Sequence, residues 1–347
     1  MSPKFRGGSD DWMDDESESS GPRGSARPKK GAPKATFLPA DRANATVAEV
    51  FPKQCRIKLD VPETGLPAEF LCSYRRASVF GGTEEVRERT PVAVGDRVLA
   101  TRSSPDSGVI EGVCERRNRL MRRAPGRTGA EADKMQHVLA ANVDAVVVVA
   151  SLKSPDFSPG LVDRFLVGAQ AVGIEPIVCV TKMDIWNESD GRPWQIYADL
   201  GFRVCEVSVR TGLGMNDLRD AVSGRQVVFC GRSGAGKTSL LNVLLGSEVG
   251  RVGEVSELTG KGKHTTTSAI LLGGPSNSFW IDTPGVREFG LAELPIERLS
   301  SLFPEFNGVK CENAGCLHEN EPGCKAVGLS RHASYLRILE SVRSGEG

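Results

Sequence analysis

A chain of 347 residues is long enough for two or three domains, because single hydrophobic cores stop growing near about 250 to 300 residues. Its 44 basic and 44 acidic residues cancel, which excludes a global field for nucleic acid or membrane and leaves local patches as the only electrostatic signals. No run approaches the roughly 20 apolar residues of a membrane-spanning helix, and the N-terminus carries an acidic cluster instead of a charged-then-apolar secretory signal, so a cytoplasmic protein with no membrane partner is expected.

Residues 1–39 hold "SDDWMDDESES" and then "PRGSARPKKGAPK", with almost no aliphatic side chains. Such a segment cannot bury enough apolar surface to offset its ordering entropy, and it reads as a disordered charged tail or a weak RNA-contacting arm. Over 40–117 the text turns to short apolar runs, "ATVAEVF", "QCRIKLD", "AEFLCSY", "DRVLATR" and "SGVIEGVC", separated by Gly, Pro and Asp. Closely spaced short strands predict a small antiparallel barrel, either OB-like or SH3-like. Arg116, Arg117, Arg119, Arg122, Arg123 and Arg127 then crowd into one short span where the barrel segment gives way to an Arg-rich linker, 118–137. Arginine at this density suits phosphate contacts on RNA; a solvated spacer is the plainer alternative.

From 138 the rhythm changes to strands alternating with helices. "VDAVVVVAS", "EPIVCVTK", "FRVCEVSV" and "QVVFCG" read as near-continuous apolar strands, with "GLVDRFLVGAQAVG" and "GMNDLRDAVSG" as amphipathic helices between them. That pattern predicts a parallel sheet covered on both faces, a domain spanning 138–287. Thr181-Lys182-Met183-Asp184 ends one strand in the manner of an N-K-x-D element. The Asp184 carboxylate would accept hydrogen bonds from guanine N1–H and the 2-amino group, a donor pair adenine lacks. Lys182 would lay its aliphatic stem across the base. Thr181 stands where asparagine is usual, which is expected to loosen packing between this loop and the phosphate loop. One strand later, Ser208 and the backbone N–H of Val209 would complete the pocket around guanine O6.

The phosphate-loop signature comes next. Gly231-Arg232-Ser233-Gly234-Ala235-Gly236-Lys237-Thr238, followed by Ser239, fits G-x-x-x-x-G-K-[ST] between a strand and the helix-like "SLLNVLL". Glycines let backbone N–H groups curl around phosphates, and the helix N-terminus adds a favourable dipole. Lys237 would reach the β and γ phosphates and Thr238 would ligate Mg²⁺. "LTGKGKHTTTSAI" reads as a switch loop that closes over the metal through Thr266, with Thr265 and Thr267 as alternatives. In "SFWIDTPG", Asp282 and Gly285 form a D-x-x-G element. The base-reading elements therefore precede the phosphate loop, the reverse of the ordinary order. Permutation is tolerated when original termini lie close together at the surface, so a circularly permuted P-loop GTPase domain is expected.

Nine cysteines are present, six of them scattered singly, so no disulfide framework is expected. The remaining three form Cys311-x4-Cys316-x-His318-x5-Cys324. Three thiolates and one imidazole make a closed tetrahedral set with no place for a reacting water, which predicts one structural zinc per chain in a C-terminal segment, 288–347. His332 falls outside the set and reads as a surface helix residue.

With "GRSGAGKTSLLN", "GKGKHTTT", "IDTPGVREFG", "TKMD" and the cysteine cluster in hand, roughly residues 40–347 resemble the ribosome small-subunit-dependent GTPase A family. The resemblance implies a multi-domain chain: an N-terminal OB-like β-barrel, the permuted α/β GTPase domain and a C-terminal α-rich zinc-binding domain. It also implies action in late maturation of the small (30S) ribosomal subunit, with 16S rRNA and GTP or GDP as partners of a monomer. A glutamine after D-x-x-G orients water in Ras-like enzymes, but Val286 stands there. Similarity to the family's switch histidine makes His264 the candidate for that role, with Lys237 and Thr266 as the other catalytic candidates; an exposed loop residue that merely seats the switch is the alternative. Slow hydrolysis alone, accelerated by the small subunit, follows as an expectation. Two other readings compete: an rRNA-binding module that uses GTP as a switch with negligible turnover, and a permuted GTPase serving the large subunit.

Overall fold

The computed structural model describes residues 37–74, 87–88, 92–123, 135–246, 269–283, 291 and 294–344. The charged tail over 1–36, Arg127, His264, Thr265, Thr266, Thr267, Gly285 and Val286 lie outside them.

Strands β1 (Ala45–Phe51), β2 (Gln54–Leu59), β3 (Glu69–Tyr74), β5 (Arg97–Ser104) and β6 (Ser107–Val113) form the N-terminal barrel; β4 (Arg87–Glu88) belongs to a separate small sheet. Alternation drives it: Cys55, Ile57 and Leu59 point inward on β2 while Arg56 and Lys58 face out. The strand order β1-β2-β3-β6-β5 closes through β1–β5 pairing, and β3 runs parallel to β6. A closed five-stranded barrel with that crossed connection is OB-like, which decides between the two barrels the strand count left open.

The arginine-rich stretch is more structured than a linker. β7 (Arg119–Arg123) pairs antiparallel with β8 (Met135–Ala141), and β4 adds to the far side of β8. Arg116 grips the fully buried carboxylate of Asp96 through two bonds of 2.7 and 2.9 Å, and Arg117 reaches Asp144 at 2.9 Å. Arg116 thus braces the barrel internally, while Arg117 alone of the two reaches the start of the next domain. A carboxylate with no solvent needs a fixed cation, and Arg supplies a planar two-donor fork. Gly95, beside Asp96, has φ +88°, and a Cβ there would sit 2.4 Å from the Ala141 carbonyl, so only glycine lets the two backbones meet.

The second domain is built on β9 (Ala145–Ser151), β10 (Glu175–Thr181), β11 (Arg203–Glu206), β12 (Gln226–Gly231), β13 (Ile270–Gly273) and β14 (Phe279–Asp282). Their spatial order is β11-β10-β9-β12-β14-β13, parallel throughout except for β13. Val146 and Val148 of β9 face a core shared with Val162, Phe165 and Leu166 of the helix Pro159–Ala171. Ala145, Val147 and Val149 face the helices Met215–Val222 and Lys237–Leu245. Among the described residues, the pair Glu49↔Ile270 runs the barrel and this sheet into one another.

The C-terminal segment contains the short helix Ile296–Leu299 and the helix His332–Ser344, packed on a core of Leu299, Phe303, Phe306, Tyr335, Ile338 and Leu339. Val167 of the helix Pro159–Ala171 belongs to the same core. Arg331, 3% exposed, binds Asp163 on that helix at 3.2 Å and Glu305 at 2.7 Å, with Phe303 4.8 Å from its guanidinium. The described helices include none long and apolar enough to cross a membrane.

Breaking a buried ion pair from one side costs about 3–5 kcal/mol because a charge is left without its partner. Arg331→Ala is therefore expected to strip amide-exchange protection from His332–Ser344 while β9 and β10 keep theirs. Equal protection in the variant would refute that anchoring.

Candidate nucleotide site and metal centre

In an open parallel sheet ligands bind beyond the carboxyl ends of the strands, where loops and helix N-termini converge. The ends of β10, β11, β12 and β14 all lie on that edge, each carrying one of the motifs read from sequence. β12 ends at Gly231, whose φ is +144° and whose Cβ, if present, would sit 2.2 Å from the Val149 carbonyl. The chain leaves the sheet there because no side chain stands between the two strands. The helix Lys237–Leu245 follows, with Ala235 buried beneath the loop and Arg232, Ser233, Gly234, Thr238 and Ser239 exposed above it.

Lys237 and Asp282 meet across this edge. Lys237 Nζ lies 3.0 Å from Asp282 Oδ1 and donates to the Thr283 carbonyl at 3.2 Å. The approach to Oδ1 is off the hydrogen-bonding direction, so the carboxylate is held by charge alone on that side. Thr283 is buried and donates to Phe229 O at 3.1 Å, which pins the end of β14 to β12. Sequence reasoning passed over Thr283, since a threonine after an aspartate carries no chemical signature.

The base-reading candidates sit next door. Thr181, 3% exposed, donates its hydroxyl to the Ala235 carbonyl at 2.6 Å. The hydroxyl ties this loop directly to the phosphate loop. Lys182, at φ +63°, donates Nζ to Lys153 O at 3.1 Å, to Gly234 O at 3.0 Å and to Ser154 O. It bridges three loops. Asp184 Oδ1 accepts from Ser208 Oγ at 2.8 Å, and Arg210 approaches Oδ2 at 3.6 Å. The Ser208 hydroxyl foremost, and the Arg210 guanidinium with it, hold the Asp184 carboxyl below the ordinary carboxylate range. Ser208 is fully buried, Val209 packs against the core, and Met183 N–H donates to Val207 O at 3.2 Å, so the two loops move as one. Arg210 was not singled out in "SVRTGLG"; only its proximity to Asp184 reveals it.

The second cluster is Cys311, Cys316, His318 and Cys324, whose ligand atoms all lie within 4.8 Å of one another. His318 Nδ1 is 3.5, 3.7 and 3.5 Å from the three sulfurs in chain order, and Cys311 and Cys324 are 3.9 Å apart. A tetrahedral ion with metal–sulfur bonds of about 2.3 Å would set sulfur–sulfur edges of about 3.8 Å, so the cage fits a metal ion of that kind. Backbone N–H groups of Lys325 and His318 point at Cys311 and Cys316 sulfurs at 3.3 and 3.4 Å. The Lys325 N–H foremost holds the Cys311 thiol below its ordinary range. His332 departs from its reading as a surface residue: it is 6% exposed and its Nε2 lies 2.7 Å from the His318 carbonyl. Its helix turns inward because the aromatic rings beside it, Phe306 and Tyr335, fill the core.

Two outcomes follow from the nucleotide edge. Thr181→Val leaves the buried Ala235 carbonyl without its donor and is expected to weaken GTP binding by about 1–3 kcal/mol, whereas Thr181→Ser retains affinity, both read by calorimetry. The pH dependence has a definite sign. A carboxyl with a depressed pKa stays ionised as pH falls through the usual aspartate value of about 3.9 and is protonated only below it. Ser208→Ala removes the largest cause, so the acid-side loss of guanine nucleotide binding is expected to begin at higher pH. An unshifted profile would count against Ser208 as the tuning group.

Comparison with known proteins agrees with this geometry. A family profile described as RsgA GTPase matches residues 113–292. The small ribosomal subunit biogenesis GTPase RsgA of Chlorobaculum tepidum is 36% identical over 297 residues, covering 81% of this chain and 94% of that protein. The protein of the same name from Pseudomonas aeruginosa is 37% identical over 272 residues, covering 74% and 78%. The crystal structure of YjeQ from Thermotoga maritima superposes with a TM-score of 0.62 at 28% identity, over 87% of this chain and 98% of that one. YloQ, a circularly permuted GTPase, shares the fold with a TM-score of 0.60 at 24% identity, over 86% of this chain and 94% of that one. With its loop order rotated, its barrel OB-like and more than two thirds of its length matched at this identity, the chain belongs to the RsgA GTPase family.

Proposed function

We propose that this protein hydrolyses GTP in the biogenesis of the small ribosomal subunit, binding the 30S particle through its 16S rRNA and coupling hydrolysis to late maturation and to its own release. The observation that carries the reading is the convergence of four strand ends on one edge, with Lys237 3.0 Å from Asp282 and Thr181 tied to Ala235. The names of the relatives supply the ribosomal setting.

In this reading the exposed backbone from Gly231 to Ser239 holds the phosphates and Lys237 stabilises charge on the β and γ groups. Thr238, Thr266 and, through its outer shell, Asp282 hold Mg²⁺, and Gly285 senses the γ-phosphate. Asp184 and Lys182 read guanine beside Ser208 and Val209, and His264 orients the attacking water. Metal in the Cys311, Cys316, His318 and Cys324 cage is one structural zinc, because all four positions of a tetrahedron are filled by protein. The working domains are 40–117, 138–287 and 288–347, and the protein acts as a cytoplasmic monomer.

Steady-state hydrolysis of GTP and ATP, with and without purified 30S or 50S subunits, tests it. Turnover selective for GTP and raised only by 30S is expected; Lys237→Ala abolishes it, and His264→Ala leaves a basal rate that 30S no longer raises. Binding to 30S without stimulated turnover would replace the enzyme by a GTP-switched RNA-binding protein, and stimulation by 50S would move the reading to the large subunit.

A further inference from the structure

The ligand His318 has φ +61°, a left-handed backbone that a non-glycine residue adopts only when its surroundings impose it. The Glu321 carboxylate accepts from Leu317 N–H and Glu319 N–H, and two side chains from one helix bond the carbonyls of the same turn. His332 Nε2 lies 2.7 Å from the His318 carbonyl, and since a carbonyl only accepts, Nε2 carries the proton. The Tyr335 hydroxyl donates to the Leu317 carbonyl, one residue earlier. His332 and Tyr335 are three apart on one helix face, and their rings lie nearly parallel, 14° apart, with centroids 6.3 Å apart. Phe306 closes the wall, with its centroid 5.2 Å from the His318 ring and 4.9 Å from that of Tyr335. Arg331, next to His332, is itself locked to Asp163 and Glu305, so the first turn of the helix cannot drift.

On the reading that the cage holds a metal ion, we infer that His332 and Tyr335 are positioning residues for it, holding the Leu317–His318 backbone in the conformation that aims the imidazole Nδ1 between the three sulfurs. Neither touches the ion. Their work is to hold the left-handed turn in place before metal arrives, so that binding does not have to supply that ordering. Partners of this outer kind change metal affinity by roughly 10- to 100-fold when removed.

The test uses the full chain titrated with cobalt(II), followed by thiolate-to-metal charge-transfer and d–d absorption, and with zinc in competition against a chromophoric chelator. His332→Ala and Tyr335→Phe are each expected to lower affinity at least tenfold and to shift the d–d bands, with His332→Gln recovering most of the loss through its amide donor. Circular dichroism and urea unfolding establish that each variant is folded; if His332→Ala does not fold, Tyr335→Phe decides, since it removes only the hydroxyl. Affinities within threefold of wild type with unchanged spectra would overturn the inference. So would a loss that His332→Gln does not recover, because packing would then explain it. A wild-type chain that takes up no cobalt overturns the metal reading and this inference together.

Discussion

A parallel strand buried on both faces can present only its ends to solvent, and β9 imposes that constraint on this molecule. Its pairing with β10 and β12 and its valines on both faces fix which strand ends come together. The nucleotide edge depends on spatial neighbours and is indifferent to the order in which the chain visits them. That is why the motifs can be rotated in sequence and still assemble. Four hydrogen bonds, from Thr181 to Ala235 and from Lys182 to Lys153, Ser154 and Gly234, then tie the end of β10 to the phosphate loop and to the loop after β9.

Permutation also decides what lies after the last strand. β14 is followed by the C-terminal segment, which returns to the helix Pro159–Ala171 and docks there through Val167 and the buried Asp163–Arg331–Glu305 group. A charge group of this kind is weak evidence for stability, but it is demanding about geometry, because any misplacement leaves a carboxylate dry and alone. The helix it fixes is the one that supplies His332 and Tyr335 to the cysteine–histidine loop. Sheet, docking helix and cysteine–histidine loop are therefore linked by one chain of contacts.

At the other end the barrel is joined by the same kind of chemistry. Asp96 is fully buried and satisfied by Arg116 and by the Ala93 N–H, while Asn118 and Asn142 exchange hydrogen bonds with Val143, Arg117 and Gly95. In a run of arginines that looks like an RNA-binding strip, Arg116 is bound inside the barrel and Arg117 reaches Asn142 and Asp144. The remaining cysteines have a similar lesson. All six that stand alone in sequence are buried core residues, and burial pushes thiols such as Cys72 up to about 11.

Much was legible in the chain itself. Periodicity located the barrel strands and the helices Pro159–Ala171 and Met215–Val222, because a two-residue or 3.6-residue repeat is a local consequence of which face is buried. The phosphate loop, the D-x-x-G aspartate and the cysteine–histidine set were legible because their chemistry demands particular residues at short fixed spacings. What lay beyond the sequence were contacts between residues far apart in it. Whether the barrel was OB-like turned on β3 lying beside β6; what the Thr181 hydroxyl bonds turned on Ala235, 54 residues away; whether His332 was surface turned on the position of His318 and Phe306. Arg331 meets Asp163 across 168 residues. Local pattern determines the elements and the reactive groups, whereas the satisfaction of buried polar atoms is settled only when the whole chain has packed, since each needs a partner that no neighbouring residue supplies.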